Sequence, residues 1–425
     1  MSLSCSLLGV FVLLVAVLWG TLVRPIPAQG SAITCRQYPS LCNLELSPGE
    51  ALSPSDGAFP VGRWKAGSAS LDAIHTHKGA VARLFQLKQW AFMSVASQHH
   101  FLCITPVQFG YIEDLYVYLA DRHTGTKLFE YQWRLPLGSL LGLGTLEISP
   151  TSTSGCTSHR GWGENRLSIC FADEKWFIDV DVTSGGKTLK ARVQVHKDPE
   201  ALILWYPLGG ECAEVNGTGP CVSHQPGYVH KEAGMRATGT YSLDLEETHL
   251  EQGVAVFDWT KSFAKRETRW RWVSLACAAC RVQVTDGESS TYSTSKRVGL
   301  SLSKLVYDVV DGDIGAYSTE NVMWVDGLVA PIHMDIHVHV PVGAEATDQW
   351  TVRGSGGGWK VNLTFTPHGL REDHTGHKEL GILSQFQQPY GTFEGSLEGP
   401  WSNGTVYKVV IEDEYGIVES HWAIW

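Results

Sequence analysis

Apolar and polar residues alternate along most of the chain in short runs broken by glycine-rich turns. "DLYVYLADRHTGTKL", "WFIDVDVTSGGKTLKARVQV", "VMWVDGLVAPIHMDIHVHV" and "WKVNLTFTP" are four of them. A period of two puts successive side chains on opposite faces of a pleated strand. No long segment repeats its apolar residues at helical period. The pattern therefore predicts an all-β protein built of antiparallel hairpins, as a sandwich or barrel.

The alternation begins near Val81. Residues 31–80 are rich in Ser, Pro, Gly and Ala and read as a linker. Before them, Leu3 to Val23 is uncharged and apolar and is stopped by Arg24 and Pro25. About 20 apolar residues span a bilayer. Residues 1–30 thus read as a signal anchor with one transmembrane helix. The second reading is a signal peptide cut at the small residues Ala28 to Gly30, followed by secretion.

Within the β region an internal likeness emerges. Gly239-Thr240-Tyr241 matches Gly391-Thr392-Phe393, and Glu267-x-x-Trp270 matches Glu419-x-x-Trp422 at the same spacing. Trp90-x-x-x-Ser94 resembles Trp270-x-x-x-Ser274. These matches predict two related modules, 81–270 and 271–425. The closing "GIVESHWAIW" then corresponds to "AKRETRWRW" of the first module. It is expected to be a strand with Trp422 in the core and Glu419, His421 and Trp425 on the other face.

Composition narrows the partners. The net charge is −11 and no run of Lys or Arg exists to neutralise phosphates, which excludes nucleic acid. Three glycosylation sequons, at Asn216, Asn362 and Asn403, accompany the apolar N-terminus and point to a lumenal or extracellular location. Eight of the ten cysteines fall into close pairs: Cys35/Cys42, Cys156/Cys170, Cys212/Cys221 and Cys277/Cys280. Such pairs read as local disulfides in an oxidising compartment. "CAAC" at 277–280 lies in a strand-like context rather than at the start of a helix, so a disulfide is expected there before a redox motif.

Several of these stretches together resemble a known family, domain of unknown function 2804. They are "YVYLADRHTG", "GTYSLD", "FDWT", "TRWRWVSLA", "ENVMWVDG", "NLTFTP", "YGTFEG" and the final "VESHW", in that order over roughly 80–425. The resemblance implies no activity. More loosely, the chain is similar to tandem lipocalin-like proteins of the carotenoid hydratase and tocopherol cyclase type. That likeness implies lipocalin-like barrels, or a strongly curved sandwich, with apolar cavity space in each module.

Three groups of residues are candidates for chemistry. In "ENVMWVDG", Glu320 beside a tryptophan in an apolar cavity would have a raised pKa and serve as a general acid. The bland alternative is that Glu320 and Asn321 tie down a loop while Asp326-Gly327 makes a turn. Asn321, Trp324 and Asp326, with Trp270 and Trp422, are the candidate ligand contacts. Glu419 and His421 share a strand face and form a candidate acid/base pair. The alternative is a structural role, since the first module has Glu267 and Arg269 in that pattern. His333, Asp335, His337 and His339 alternate along one strand face and form a candidate metal site, against a plain solvent-facing polar face. No nucleophile elbow, phosphate loop or dinucleotide motif occurs, and no cofactor is implied.

The expectation is a membrane-anchored lumenal β protein that binds an apolar small molecule, a lipid or isoprenoid. Proton transfer for hydration, isomerisation or cyclisation is the chemistry such a site would support. The competing class is a non-catalytic glycan- or protein-binding module. An enclosed aromatic cavity around Glu320 or Glu419 favours the first, and tryptophans exposed in a shallow groove favour the second.

Overall fold

The computed structural model describes residues 33–425 except 35–37, 44, 52–58, 68–69, 139–142, 162, 209–221, 224, 287–289, 305–307, 312–314, 342–347, 379–381 and 402–403. The apolar N-terminal segment, Cys35, Cys212, Cys221, Asn216 and Asn403 lie outside the described residues. Among those described, no helix is long and apolar enough to cross a membrane.

The alternating runs form strands. In chain order the principal ones are β1 (Leu87–Ala96), β2 (His100–Gln108), β3 (Ile112–Asp121), β4 (Lys127–Pro136), β5 (Gly155–Arg160), β6 (Arg166–Ala172), β7 (Lys175–Ser184), β8 (Lys187–His196), β9 (Leu202–Pro207), β10 (Pro226–Leu243), β11 (Gly253–Phe263), β12 (Glu267–Asp286), β13 (Ser290–Lys304), β14 (Val322–Val325), β15 (Leu328–Pro331), β16 (Asp335–His339), β17 (Trp350–Gly356), β18 (Trp359–His377), β19 (Ile382–Pro400) and β20 (Val406–Ile424). They build two antiparallel sheets, each curled into a half-barrel. The first runs β4-β3-β2-β1-β11-β10-β8-β7-β6-β5, with β9 joined to β10. The second runs β15-β14-β13-β12-β20-β19-β18-β17-β16. Each unit pairs its first strand with its last, β1 with β11 and β12 with β20.

This shared closure corrects one detail of the repeat. β12 does not mirror β20 from the first unit; it lies against β20 in the second sheet, with Trp270 opposite His421 and Trp272 opposite Glu419. The counterpart of β20 is β11, where Asp258 stands opposite Phe92 of β1. The units meet at residues 264–266, between β11 and β12. "GTY" on β10 and "GTF" on β19 do occupy corresponding strands.

Residues 59–80 belong to the first unit rather than to a linker. The strand Gly62–Ala66 pairs with β9 and buries Trp64, and Leu71 and Ile74 are also buried. Their large apolar side chains are few, but Phe59, Val61, Trp64, Leu71 and Ile74 are all buried.

Three apolar clusters follow from the two-sheet plan. One fills the first half-barrel around Trp176, Trp205 and Trp259. A second fills the other around Leu363, Phe365 and Phe393. The third lies between the sheets and includes Phe92, Tyr118, Trp272, Trp324 and Tyr390. The sheets touch backbone to backbone at Gly234, which has φ 84° at the bulge in β10. A Cβ on Gly299 of β13 would stand 2.0 Å from the Ala233 carbonyl oxygen, so only glycine permits this approach. Arg297 clamps the same junction: its guanidinium donates to both carboxylate oxygens of Asp198, at 2.7 and 2.9 Å, and to the Gly234 carbonyl at 2.5 Å.

Disulfides join Cys156 to Cys170 across β5 and β6, and Cys277 to Cys280 within the bulge of β12. Cys42 is also disulfide-bonded, and Cys103 is free and buried.

Candidate functional site

A cavity of about 200 Å³ opens between the two sheets rather than inside either half-barrel. Alternation on the strands explains its lining. From β1, β2 and β3 come Trp90, Phe92, Val107 and Tyr116; from β12, β19 and β20 come Trp270, Trp272, Phe386, Glu419 and His421. Trp90 lies parallel to Trp270, with ring centroids 6.3 Å apart and planes 12° from parallel; Trp270 stacks in turn on Trp425 at 6.4 Å. Both sheets thus turn an aromatic face to the same space.

Glu419 sits in this face with neutral partners. The Trp270 indole N–H donates to Oε1 at 2.6 Å and the Gln388 amide donates to Oε2 at 2.8 Å. Burial raises its pKa to about 7, against the opposing effect of those two hydrogen bonds. Its neighbour His421 contacts the Ser384 hydroxyl through Nε2 at 2.9 Å, while Nδ1 is buried without a partner among the described residues. Burial lowers the His421 pKa to about 3, so the ring is neutral at physiological pH.

A second polar group lies deeper. Lys231 of β10 is buried, and its ammonium stands 2.7 Å from Asp258 and 3.4 Å from Glu320. Ser303 donates to Glu320 at 3.0 Å, and the Lys231 ammonium lies 4.5 Å from the Trp272 ring centre. Burial opposes the lysine's charge, yet the two carboxylates together hold its pKa above the ordinary value. Burial, with Asp258 adding to it, raises the pKa of Glu320. A third group joins the sheets at the other side: Arg134 of β4 pairs with Asp114 at 2.6 Å and with Asp373 of β18.

The structure sorts the sequence candidates. Glu320, Glu419, His421 and Trp270 all line the cavity. Trp422 does not; it is half-buried on the opposite face of β20, with its indole N–H on Glu267 and the Arg269 guanidinium over its ring at 4.1 Å. Asn321 is a structural clamp: its side chain accepts from the Ser303 N–H and donates to the Met334 carbonyl. Trp324 packs between the sheets with its indole N–H on the Glu200 carbonyl, and Asp326, at φ 49°, forms the exposed β14–β15 turn with Lys296.

The four metal candidates do not converge. His333 precedes β16 and is buried against Arg63 and Tyr317; Asp335 is paired with Lys304; His337 and His339 are exposed. Among the described residues, only Cys277, Cys280 and Glu414 bring three such ligand atoms within 4.8 Å of one another, and the two sulfurs are bonded to each other. Sequence reasoning passed over Lys231, Asp114, Arg134 and Arg371, none of which belongs to a recognisable motif. The signal available was a charged residue inside an apolar strand, as in "YVHKEAG" around Lys231.

Residues 63–425 match the family described as domain of unknown function (DUF2804). No curated protein matches the chain. Among solved structures, a protein designated AttH from Nitrosomonas europaea is similar over 80% of this chain and 92% of its own, at 12% identity and TM-score 0.41. CghA with Sch210972 covers 80% and 88% at 10% identity and TM-score 0.37. Kievitone hydratase from Nectria haematococca covers 89% and 98% at 9% identity and TM-score 0.35.

Proposed function

We propose that this chain, which belongs to the DUF2804 family, binds an apolar small molecule between its two sheets and moves a proton on it through Glu419. One observation carries the reading: a carboxyl with a pKa of about 7 sits in an aromatic-lined cavity, held by an indole and an amide rather than by a cation. Such a group is both protonated and ionised in useful amounts near neutral pH, as general acid–base work requires. Its neutral holders leave it free to change charge without breaking an ion pair. Glu320 is less suited, because Lys231 and Ser303 already engage it.

The class of reaction is proton addition or removal at carbon, as in hydration, isomerisation or cyclisation of an unsaturated lipid or isoprenoid. The test is native mass spectrometry of the purified protein followed by solvent extraction. A co-purifying apolar molecule is the expected result; a protein that stays empty when offered lipid and isoprenoid extracts overturns the reading. Once a substrate is in hand, Glu419→Gln should abolish turnover while leaving binding intact.

The proposal places the protein in the lumen of the secretory pathway, held by the N-terminal apolar segment. Asn362 is exposed on β18, where a glycan would be accommodated. A glycosidase-sensitive mobility shift that disappears in Asn362→Gln checks this placement.

A further inference from the structure

Among the described residues, two cations reach the cavity with no carboxylate within 4.0 Å, Lys265 and Arg371. Lys265 is half-buried. Arg371 of β18 is only 4% exposed, and its guanidinium makes no hydrogen bond among the described residues. Its flat face lies 3.6 Å from the Tyr116 ring centre, and Phe386 approaches to 5.0 Å. Stacking satisfies the face of a guanidinium but leaves its in-plane N–H groups unmet. A buried charge with open donors is costly unless something arrives to accept them.

We propose that Arg371 anchors a carboxylate carried by the apolar molecule, so that the ligand is an apolar carboxylic acid. The inference rests on the apolar-ligand reading above. A planar guanidinium edge matches a carboxylate in two parallel hydrogen bonds. Two further orphaned atoms border the same corner. Among the described residues, Oδ1 of Asp114 is buried without a hydrogen-bond partner, and so is Nδ1 of His421, whose ring lies 5.2 Å from that of Phe386. The corner holds Arg134 and Arg371 against Asp114 and Asp373 and is neutral when all are charged. Burial raises the pKa of Asp114, so this carboxyl is placed to take the proton that offsets a ligand carboxylate and then to donate it in a hydrogen bond. With its head at Arg371, the ligand's chain would run along the aromatic face toward Trp270 and Glu419.

The test uses the full chain and three probes of equal chain length: decanoate, methyl decanoate and 1-decanol. Binding is read by quenching of the cavity tryptophans. Decanoate should bind roughly ten- to hundredfold more tightly than its methyl ester, the range expected of charge-assisted hydrogen bonds. Arg371→Gln should bring the acid-to-ester affinity ratio close to one, and Lys265→Gln should leave the preference in place. If acid, ester and alcohol bind alike in the wild-type protein, the anchor is absent and the proposal fails, while the apolar-ligand reading stands. A preference that survives in Arg371→Gln, or vanishes in Lys265→Gln, likewise overturns it. If none of the three binds, the apolar-ligand reading itself falls. The wild-type comparison decides the matter even where the Arg371 variant does not fold.

Discussion

Trp270 donates its indole N–H to Glu419 at 2.6 Å across the β12–β20 pairing, so an aromatic wall of the cavity is also the nearest support of its acid. The hydrogen bond favours the ionised form and works against burial. Trp270→Phe keeps an aromatic ring but removes the donor. The midpoint of Glu419 should then rise above its wild-type value of about 7, read as the carboxyl C=O band in infrared titration. An unchanged midpoint would show that the indole does not tune this group.

The same carboxyl makes stability depend on pH. Its folded pKa of about 7 exceeds the ordinary 4.5, so the folded state binds the proton more tightly than the unfolded one. The contribution is complete below about pH 4.5 and is lost as pH rises through about 7. Its size is roughly 3 kcal/mol by proton linkage. Glu419→Gln should flatten that part of the stability curve, measured by urea unfolding between pH 4.5 and 8.

His421 has the opposite sign. Burial lowers its pKa from 6.5 to about 3, so its contribution is present above pH 6.5 and lost as pH falls toward 3. The ring should stay neutral from pH 7 down to about 4. Its C2–H resonance should not move over that interval; a titration step between pH 7 and 4 would contradict the burial.

The Arg297–Asp198 clamp ties the sheets together through groups that are 13% and 8% exposed. Removing one partner of a buried pair leaves the other charge uncompensated. Asp198→Asn should cost about 3 kcal/mol in urea unfolding. A loss within the error of the measurement would mean that water relieves Arg297 at this junction.

Removing residues 421–425 should prevent soluble folding. Trp425 exchanges two hydrogen bonds with Arg266, its N–H to the Arg266 carbonyl at 2.9 Å and the Arg266 guanidinium to its own carbonyl at 2.6 Å. Its ring covers the buried Lys88 ammonium at 5.5 Å. A monodisperse, cooperatively melting truncated protein would contradict this.

The all-β class was legible because alternation is a local property, and many hairpins carry a turn glycine, as at Gly185-Gly186 and Gly357-Gly358. The closing strands were harder. Glu267-x-x-Trp270 and Glu419-x-x-Trp422 look alike, yet β12 and β20 are paired neighbours, and a string of letters does not distinguish a neighbour from a repeat. The true correspondence, Asp258 with Glu419, appears only when Phe92 and Trp272 are seen opposite them. Glu320 and Glu419 were found because each sits beside tryptophans. Arg371 and Asp114 were not, because the packing of one sheet on the other brings them together from 257 positions apart in the chain (371 − 114). The His333–His339 pattern misled for a related reason: His333 lies before the strand, so a shared parity did not mean a shared face.

The contact at Gly234 and Gly299 has an evolutionary side. Each half-barrel keeps a core of its own, and the cavity is shaped by residues that belong to neither. Substitutions along that seam can therefore change what is bound while the two halves go on folding. Selection is free to vary the contents of the cavity so long as two glycines continue to hold its walls at their present separation.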